Sequence, residues 1–217
     1  MEIIDQIDSS YVAVFDLDGT LLKKNSSFEF LKFLLFKKKI TPLQFLYLGG
    51  CYGHHKLFST SYQKLHSRVF NTFFRGWPLA YFQELIPEFL EKKLPALICQ
   101  SVFDLLTLLQ RKKIDLMILS NSPSFLVQEI ARCFGVDKAY GTSFLLNAEG
   151  RLSEIDTIMD GEKKAQIVRA CWGKRKIIAF SDGIFDLPFL QAADIPICTR
   201  PCRKLKKIAK TMKWRIL

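Results

Sequence analysis

The 217-residue chain has no cysteines spaced as CxxC, no internal repeat, no low-complexity tract and no apolar run long enough to span a bilayer. Its six cysteines (51, 99, 133, 171, 198, 202) show no zinc-like spacing, which excludes a zinc ribbon and a dithiol redox motif. They read as buried free thiols in a reducing cytosol. The most apolar early stretches, Phe28 to Phe36 and Leu43 to Gly50, are interrupted by Lys32 and by Lys37-Lys38-Lys39. Both fall well short of the ~20 residues a spanning helix needs. The opening MEIIDQIDSS is acidic and lacks the basic start and apolar stretch of a secretory signal. A cytoplasmic location is therefore expected. Glycine (11) and proline (8) are not enriched, and disorder is excluded by an ordinary balance of 49% hydrophobic and 24% charged residues.

Acidic residues are missing from two places. Residues 200–217 hold eight Lys/Arg and no Asp/Glu, and residues 23–94 hold twelve Lys/Arg against four Asp/Glu, so each carries +8 of a formal total of +11. The early segment also contains 11 of the 19 phenylalanines. Basic and aromatic residues together suit a nucleic-acid or membrane surface. They suit equally a small helical unit with a Phe core and a solvated Lys face.

Short apolar runs bounded by polar residues predict strands at Tyr11 to Phe15, Ile114 to Leu119, Ile177 to Phe180 and Ile195 to Cys198. Residues 138–146 add another, with Asn147 to Gly150 as a turn. Helical patterns cover Leu97 to Leu109, Ser124 to Phe134 and Glu162 to Trp172, the last two stopped by Gly135 and Gly173. This alternation predicts an α/β fold with a parallel sheet. Residues 23–94 break the rhythm with helix-like periods punctuated by Pro42, Gly49-Gly50, Gly76-Trp77-Pro78 and Pro87. The reading is a core of 1–22 and 95–217 with a helical insertion at 23–94.

Three predicted strands end at a polar residue: Asp16, Ser120 and Ser181-Asp182. The carboxyl ends of parallel strands share one edge, where ligands bind. Asp16, Asp18, Asp182 and Asp186 should therefore crowd one pocket. Two like charges about 4 Å apart cost about 4 kcal/mol at an effective dielectric near 20, so a cation is expected. Oxygen ligands suit magnesium, and magnesium suits a phosphate substrate. A cationic side chain should also face the site, either Lys163 or Lys164. Helical spacing favours Lys164, which shares a face with Ile167, Val168 and Cys171.

These residues form a known pattern. The sequence resembles the haloacid dehalogenase superfamily, and within it the subfamily that includes phosphoserine phosphatase. Phe15-Asp-Leu-Asp-Gly-Thr-Leu21 is similar to the first motif, DxDGT, and Ile118-Leu-Ser-Asn-Ser-Pro123 to the second. Lys164 fits the third, and Ser181-Asp-Gly-Ile-Phe-Asp-Leu-Pro188 the fourth, with Ser181 where Gly is usual. The insertion occupies the position of the family's helical cap, and Pro201 and Trp214 fit the subfamily's tail. The resemblance implies a Rossmann-like core and a magnesium-dependent phosphatase. It implies that Asp16 is the nucleophile that forms an aspartyl-phosphate, and Asp18 the general acid/base. Ser120 and Lys164 would be catalytic with them. Asp16, Gly19, Thr20, Ser120, Asn121 and Lys164 would bind the phosphoryl group. Asp16, Asp18 (through its carbonyl), Asp182 and Asp186 would hold the metal.

The substrate is less determined. Phosphoserine phosphatases usually carry a Glu shortly after the first motif, where this chain has Asn25. Phosphoserine is therefore not expected. Lys23, Lys24 and the basic insertion favour an anionic phosphate monoester. A relative in this subfamily acts on phosphatidylglycerophosphate, which makes a lipid phosphate a candidate, with the basic cap in peripheral contact with the inner face of a membrane. The alternative is a catalytically silent module with a basic surface. No nucleic-acid motif is present, and oligomeric state is not readable.

Overall fold

The computed structural model describes residues 7–58, 62–171 and 175–217. Most of the opening segment weighed as a leader, and the stop at Gly173, lie outside the described residues. A central strand β1 (Tyr11–Asp16) is followed by helices α1 (Ser26–Phe36), α2 (Pro42–Phe58) and α3 (Tyr62–Val69), a wide helical turn at Phe70–Phe74, and α4 (Leu79–Leu97). Then come α5 (Gln100–Arg111), β2 (Asp115–Pro123), α6 (Ser124–Cys133), β3 (Lys138–Leu146) and β4 (Leu152–Thr157). The chain continues through α7 (Gly161–Cys171), β5 (Lys176–Ser181), α8 (Leu187–Gln191), β6 (Ile195–Cys198), α9 (Arg203–Thr211) and a two-residue β7 (Arg215–Ile216).

The seven strands form one sheet in the order β4-β3-β2-β1-β5-β6-β7. All neighbours are parallel except β3 and β4, which form an antiparallel hairpin over the Asn147 turn. From β1 the chain goes to β2 on one side and, later, to β5 on the other. The strand order therefore reverses beside β1, and a crevice at such a reversal is where open α/β sheets bind ligands.

Each central strand is buried on both faces because its residues alternate between two apolar layers. Ala13, Phe15, Ile118, Ile178 and Phe180 face one layer, with Phe15 and Phe180 stacked at 4.3 Å. Val12, Val14, Met117, Leu119, Ile177 and Ala179 face the other, against Val168, Phe189, Leu190, Leu205 and Ala209. The first layer continues without a break into Phe30, Phe33, Phe82 and Phe89 of the helical insertion. Phe30 packs edge-on to Phe89 at 5.1 Å, and Phe82 stacks on Phe125 at 5.3 Å. Most of the inserted phenylalanines thus form a core; Phe36, 83% exposed, does not.

Several expectations change. Pro87 does not interrupt the helices: it lies inside α4, which continues past Pro95 to Leu97. Gly49-Gly50 likewise lies inside α2. The chain rejoins the sheet after Leu97, where two connecting segments pair. Lys23 N–H donates to the Leu97 carbonyl (2.7 Å) and Cys99 N–H to the Leu21 carbonyl (2.8 Å). β2 runs past Leu119 to Pro123, so Ser120 lies within the strand rather than after it. Of the described cysteines, Cys51, Cys99 and Cys198 are buried and free as expected, whereas Cys133 and Cys202 are exposed. Both exposed thiols sit at helix ends, where one side of the chain faces solvent.

Candidate active site

Asp16 is the last residue of β1, and the chain must turn at once to leave the sheet. Gly19 makes that turn with φ +93°, and its N–H donates to the Leu22 carbonyl (2.8 Å). A Cβ at Gly19 would lie 2.3 Å from the Asp182 carboxylate, so two strand ends meet across a bare backbone. On the other side, a Cβ at Gly161 would meet the Phe185 carbonyl oxygen at 2.1 Å. That close approach sets the first turn of α7 against the loop carrying Asp186.

Lys164 is the consequence. It is 1% exposed, and its Nζ donates to Asp16 Oδ1 (2.6 Å) and Asp186 Oδ2 (2.9 Å). Lys163, one residue away, is half-buried, and its main-chain N–H donates to Asp160 Oδ1 (3.0 Å). The rotation of α7 thus brings Lys164 to the two aspartates. Ser181 Oγ also donates to Asp186 Oδ2 (2.7 Å), which gives the serine a use at a position where glycine was expected.

Asp18 has a different environment. Its Oδ1 accepts from Ser26 N–H (2.6 Å), and its Oδ2 from the hydroxyls of Ser122 (2.5 Å) and Ser120 (3.1 Å). Ser122 Oγ in turn accepts from Ser27 (2.6 Å) and Ser26 (3.0 Å). A carboxylate two residues beyond Asp16 is thus held by β2 on one side and by the first turn of α1 on the other.

The electrostatics follow from burial. Burial pushes the Asp16 carboxyl well above its ordinary range; Lys164 opposes this, while Asp186 and Asp182 add to it. Asp182 is raised to about 6, chiefly by burial and then by repulsion from Asp186. Burial alone would lower the Lys164 ammonium, but Asp16 and Asp186 outweigh it and the net shift is upward. Lys164 is therefore a permanent cation.

The remaining candidates are placed as follows. Thr20 is fully buried, and its hydroxyl meets that of Thr199 at 3.3 Å. The main-chain carbonyl of Asn121 accepts from Thr142 Oγ1 (2.8 Å). The buried Oδ1 of Asn121 has no hydrogen-bond partner among the described residues. Asn25 caps α1 by accepting from Phe28 N–H (2.8 Å). Sequence reasoning missed Ser26, Ser27, Ser122 and Arg200, whose guanidinium donates to the Gly19 carbonyl (2.7 Å). Only the doubled Ser26-Ser27 after Asn25, a helix-start signal, could have drawn attention to the first pair.

Among the described residues no three His, Cys, Asp or Glu side chains converge as a metal cage. Magnesium does not require one. It usually takes one or two carboxylates, with water and substrate phosphate completing its shell. Asp16 and Asp182 supply that number, whereas Asp186 is engaged by Lys164 and Ser181. Three acids that repel one another and face the Lys164 ammonium suit an additional hard cation, so the donor set fits.

Comparison with known proteins places this architecture. A protein named as a probable phosphatase in Mycobacterium tuberculosis is 27% identical over 218 residues, covering 94% of this chain and 74% of that protein. A protein of unknown function from Bordetella pertussis shares the fold with a TM-score of 0.84 at 20% identity, over 95% of this chain and 97% of that one. A phosphoserine phosphatase solved as a phospho-aspartyl intermediate analogue has a TM-score of 0.66 at 16% identity, over 97% and 93%. The model of the haloacid dehalogenase-like hydrolases matches residues 13–191, from the core of β1 to the end of α8. The chain belongs to that family.

Proposed function

We propose that the protein is a magnesium-dependent phosphomonoester hydrolase working through an aspartyl-phosphate on Asp16. The observation that carries this reading is the contrast between two carboxylates two residues apart. Asp16 is held by an ammonium, and Asp18 by hydroxyl and amide donors. Acids kept in different environments take different roles.

In the first half-reaction an Asp16 oxygen attacks phosphorus, and the ester P–O bond breaks. Asp18 protonates the departing oxygen. In the second, Asp18 takes a proton from water as the water oxygen attacks phosphorus, releasing phosphate and restoring Asp16. Lys164, bonded to Asp16 Oδ1, fixes which carboxylate oxygen is free and offsets charge on the phosphoryl group. Ser120 and the Asn121 amide are the proposed phosphoryl contacts from β2, and Gly19 and Thr20 those from the β1 turn. A bound magnesium ion, held by Asp16, Asp182 and the Asp18 carbonyl with Asp186 in support, would neutralise the developing phosphoryl charge.

The substrate is an anionic phosphate monoester. Lys23 and Lys24 are exposed at the exit from the site, which suits further negative charge on the substrate. Asn25 is committed to capping α1 and offers no carboxylate to a substrate ammonium. The test is release of inorganic phosphate, with and without magnesium, from phosphoserine, sugar phosphates, nucleotides and a phosphatidylglycerophosphate in micelles. Turnover of one compound, lost with EDTA and in Asp16→Asn, is the expected result. No turnover together with no magnesium binding by the wild type would overturn the proposal and favour a silent module.

A further inference from the structure

An α-helix at a protein surface normally turns one apolar face inward and a polar face outward. The first part of α2 does not. Leu48 and Cys51 are buried, and Phe45 packs on Phe28 at 5.5 Å. Its opposite side is apolar too. Leu43 is 77% exposed, Leu46 71% and Tyr47 45%, at the spacing of one helical face. No charged residue occurs from Pro42 to Cys51. Phe36, at the end of α1, stands out at the same turn between the two helices. A helix that is apolar all round belongs in an apolar medium.

The charge around this tip is mainly basic: Lys37 is paired with Glu88 (2.6 Å), and Lys38 and Lys39 have no such carboxylate beside them among the described ion pairs. Lys37, Lys38 and Lys39 form the turn between Phe36 and α2, and Lys38 and Lys39 are exposed. Residues 30–83 contain eight Lys/Arg and no Asp or Glu. We propose that this tip, formed by Phe36, Leu43, Leu46 and Tyr47 with Lys38 and Lys39, seats the protein on the surface of an anionic bilayer. A bilayer supplies apolar depth and negative charge together, as an in-plane apolar segment with flanking lysines requires. A second copy of the same tip would bring lysine against lysine. Among the described residues no helix is long and apolar enough to cross a membrane, so the segment lies in the interface. Of the inserted phenylalanines, most are committed to the core; Phe36 joins the exposed face of α2 in the contact.

The experiment is co-sedimentation of the whole protein with phosphatidylcholine vesicles, with and without phosphatidylglycerol, at physiological salt. The wild type should bind the anionic vesicles and lose binding as salt rises. Leu43→Glu/Leu46→Glu alters exposed positions outside the site and should retain the wild-type circular dichroism. It should reduce partitioning about tenfold or more, as should Lys38→Glu/Lys39→Glu. Absence of wild-type binding overturns the proposal. So does equal binding by both variants, which would move the contact to the basic tail. A dimer in solution that the leucine variant dissociates, without vesicle binding, would assign the face to a second copy instead.

Discussion

Asp18 accepts three hydrogen bonds, and one of them comes from Ser122, which itself gathers the hydroxyls of Ser26 and Ser27. Removing that hydroxyl leaves Asp18 with two donors and deprives two serines of an acceptor. A hydrogen bond to a charged group contributes about 1.5–3 kcal/mol, so Ser122→Ala should lower kcat about tenfold or more with little change in KM. The pH profile of phosphate release should shift with it. An unchanged kcat and profile would remove Ser122 from the account. Asp182 gives a second test. Its carboxyl is raised to about 6 in the folded protein, against about 3.9 in an unfolded chain. A raised acid contributes stability below the unfolded value and loses it as pH rises through the folded one. In EDTA, Asp182→Asn should therefore stabilise the protein at pH 7 by about 1–2 kcal/mol after allowing for solvent screening. The gain should vanish by about pH 4. Thermal melts across that range would show it, and a gain that grew toward low pH would contradict the assignment.

At the scale of elements, four helix ends share one construction. After α6, Gly135 N–H bonds to Arg132 and Val136 N–H to the Ala131 carbonyl, with Gly135 at φ +67°. The same pair of bonds closes α1 at Lys38, α5 at Lys113 and α9 at Lys213, with φ of 56°, 57° and 55°. Glycine is the usual residue there because a Cβ is strained in that conformation. Lys113→Gly should thus raise stability by up to about 1 kcal/mol, read from the urea midpoint; a loss would refute the strain. The same feature explains which parts of the fold were legible in sequence. Gly135 announced its stop, whereas the lysines at 38, 113 and 213 carried no such signal. Pro87 signalled a break that tertiary packing of Phe82, Ile86, Phe89 and Leu94 overrode. The central strands β1, β2 and β5 were legible because runs buried on both faces have an unmistakable composition, whereas the edge strands β4 and β7, only partly buried, were not. In the site, the Asp and Lys positions stood out because charges at the ends of apolar runs are rare. Ser26, Ser27 and Ser122 did not, because a serine near a turn is commonplace until its partner is known.

At the scale of the molecule, the insertion and one face of the sheet share a single apolar layer, from Phe30 and Phe89 through Phe82 to Phe15 and Phe180. A shared layer ties the two parts into one cooperative unit. Phe82→Ala should cost about 3–5 kcal/mol, and thermal unfolding should stay a single transition. Tryptophan fluorescence, which sums Trp77 in the insertion with Trp172 and Trp214 outside it, should then coincide with far-UV circular dichroism. Two separated transitions would show that the inserted helices melt alone.

The bare backbone at Gly19 and Gly161 has a further consequence. Every charged group of the pocket could be kept and the pocket still be lost, because one methyl group at either place would drive Asp182 or the Asp186 loop away. A relative that retains the aspartates and the lysine but fills one of these two gaps would carry the signature of the chemistry without the room for it. Such a chain offers a way to sort working members from decoys that charged residues alone would pass.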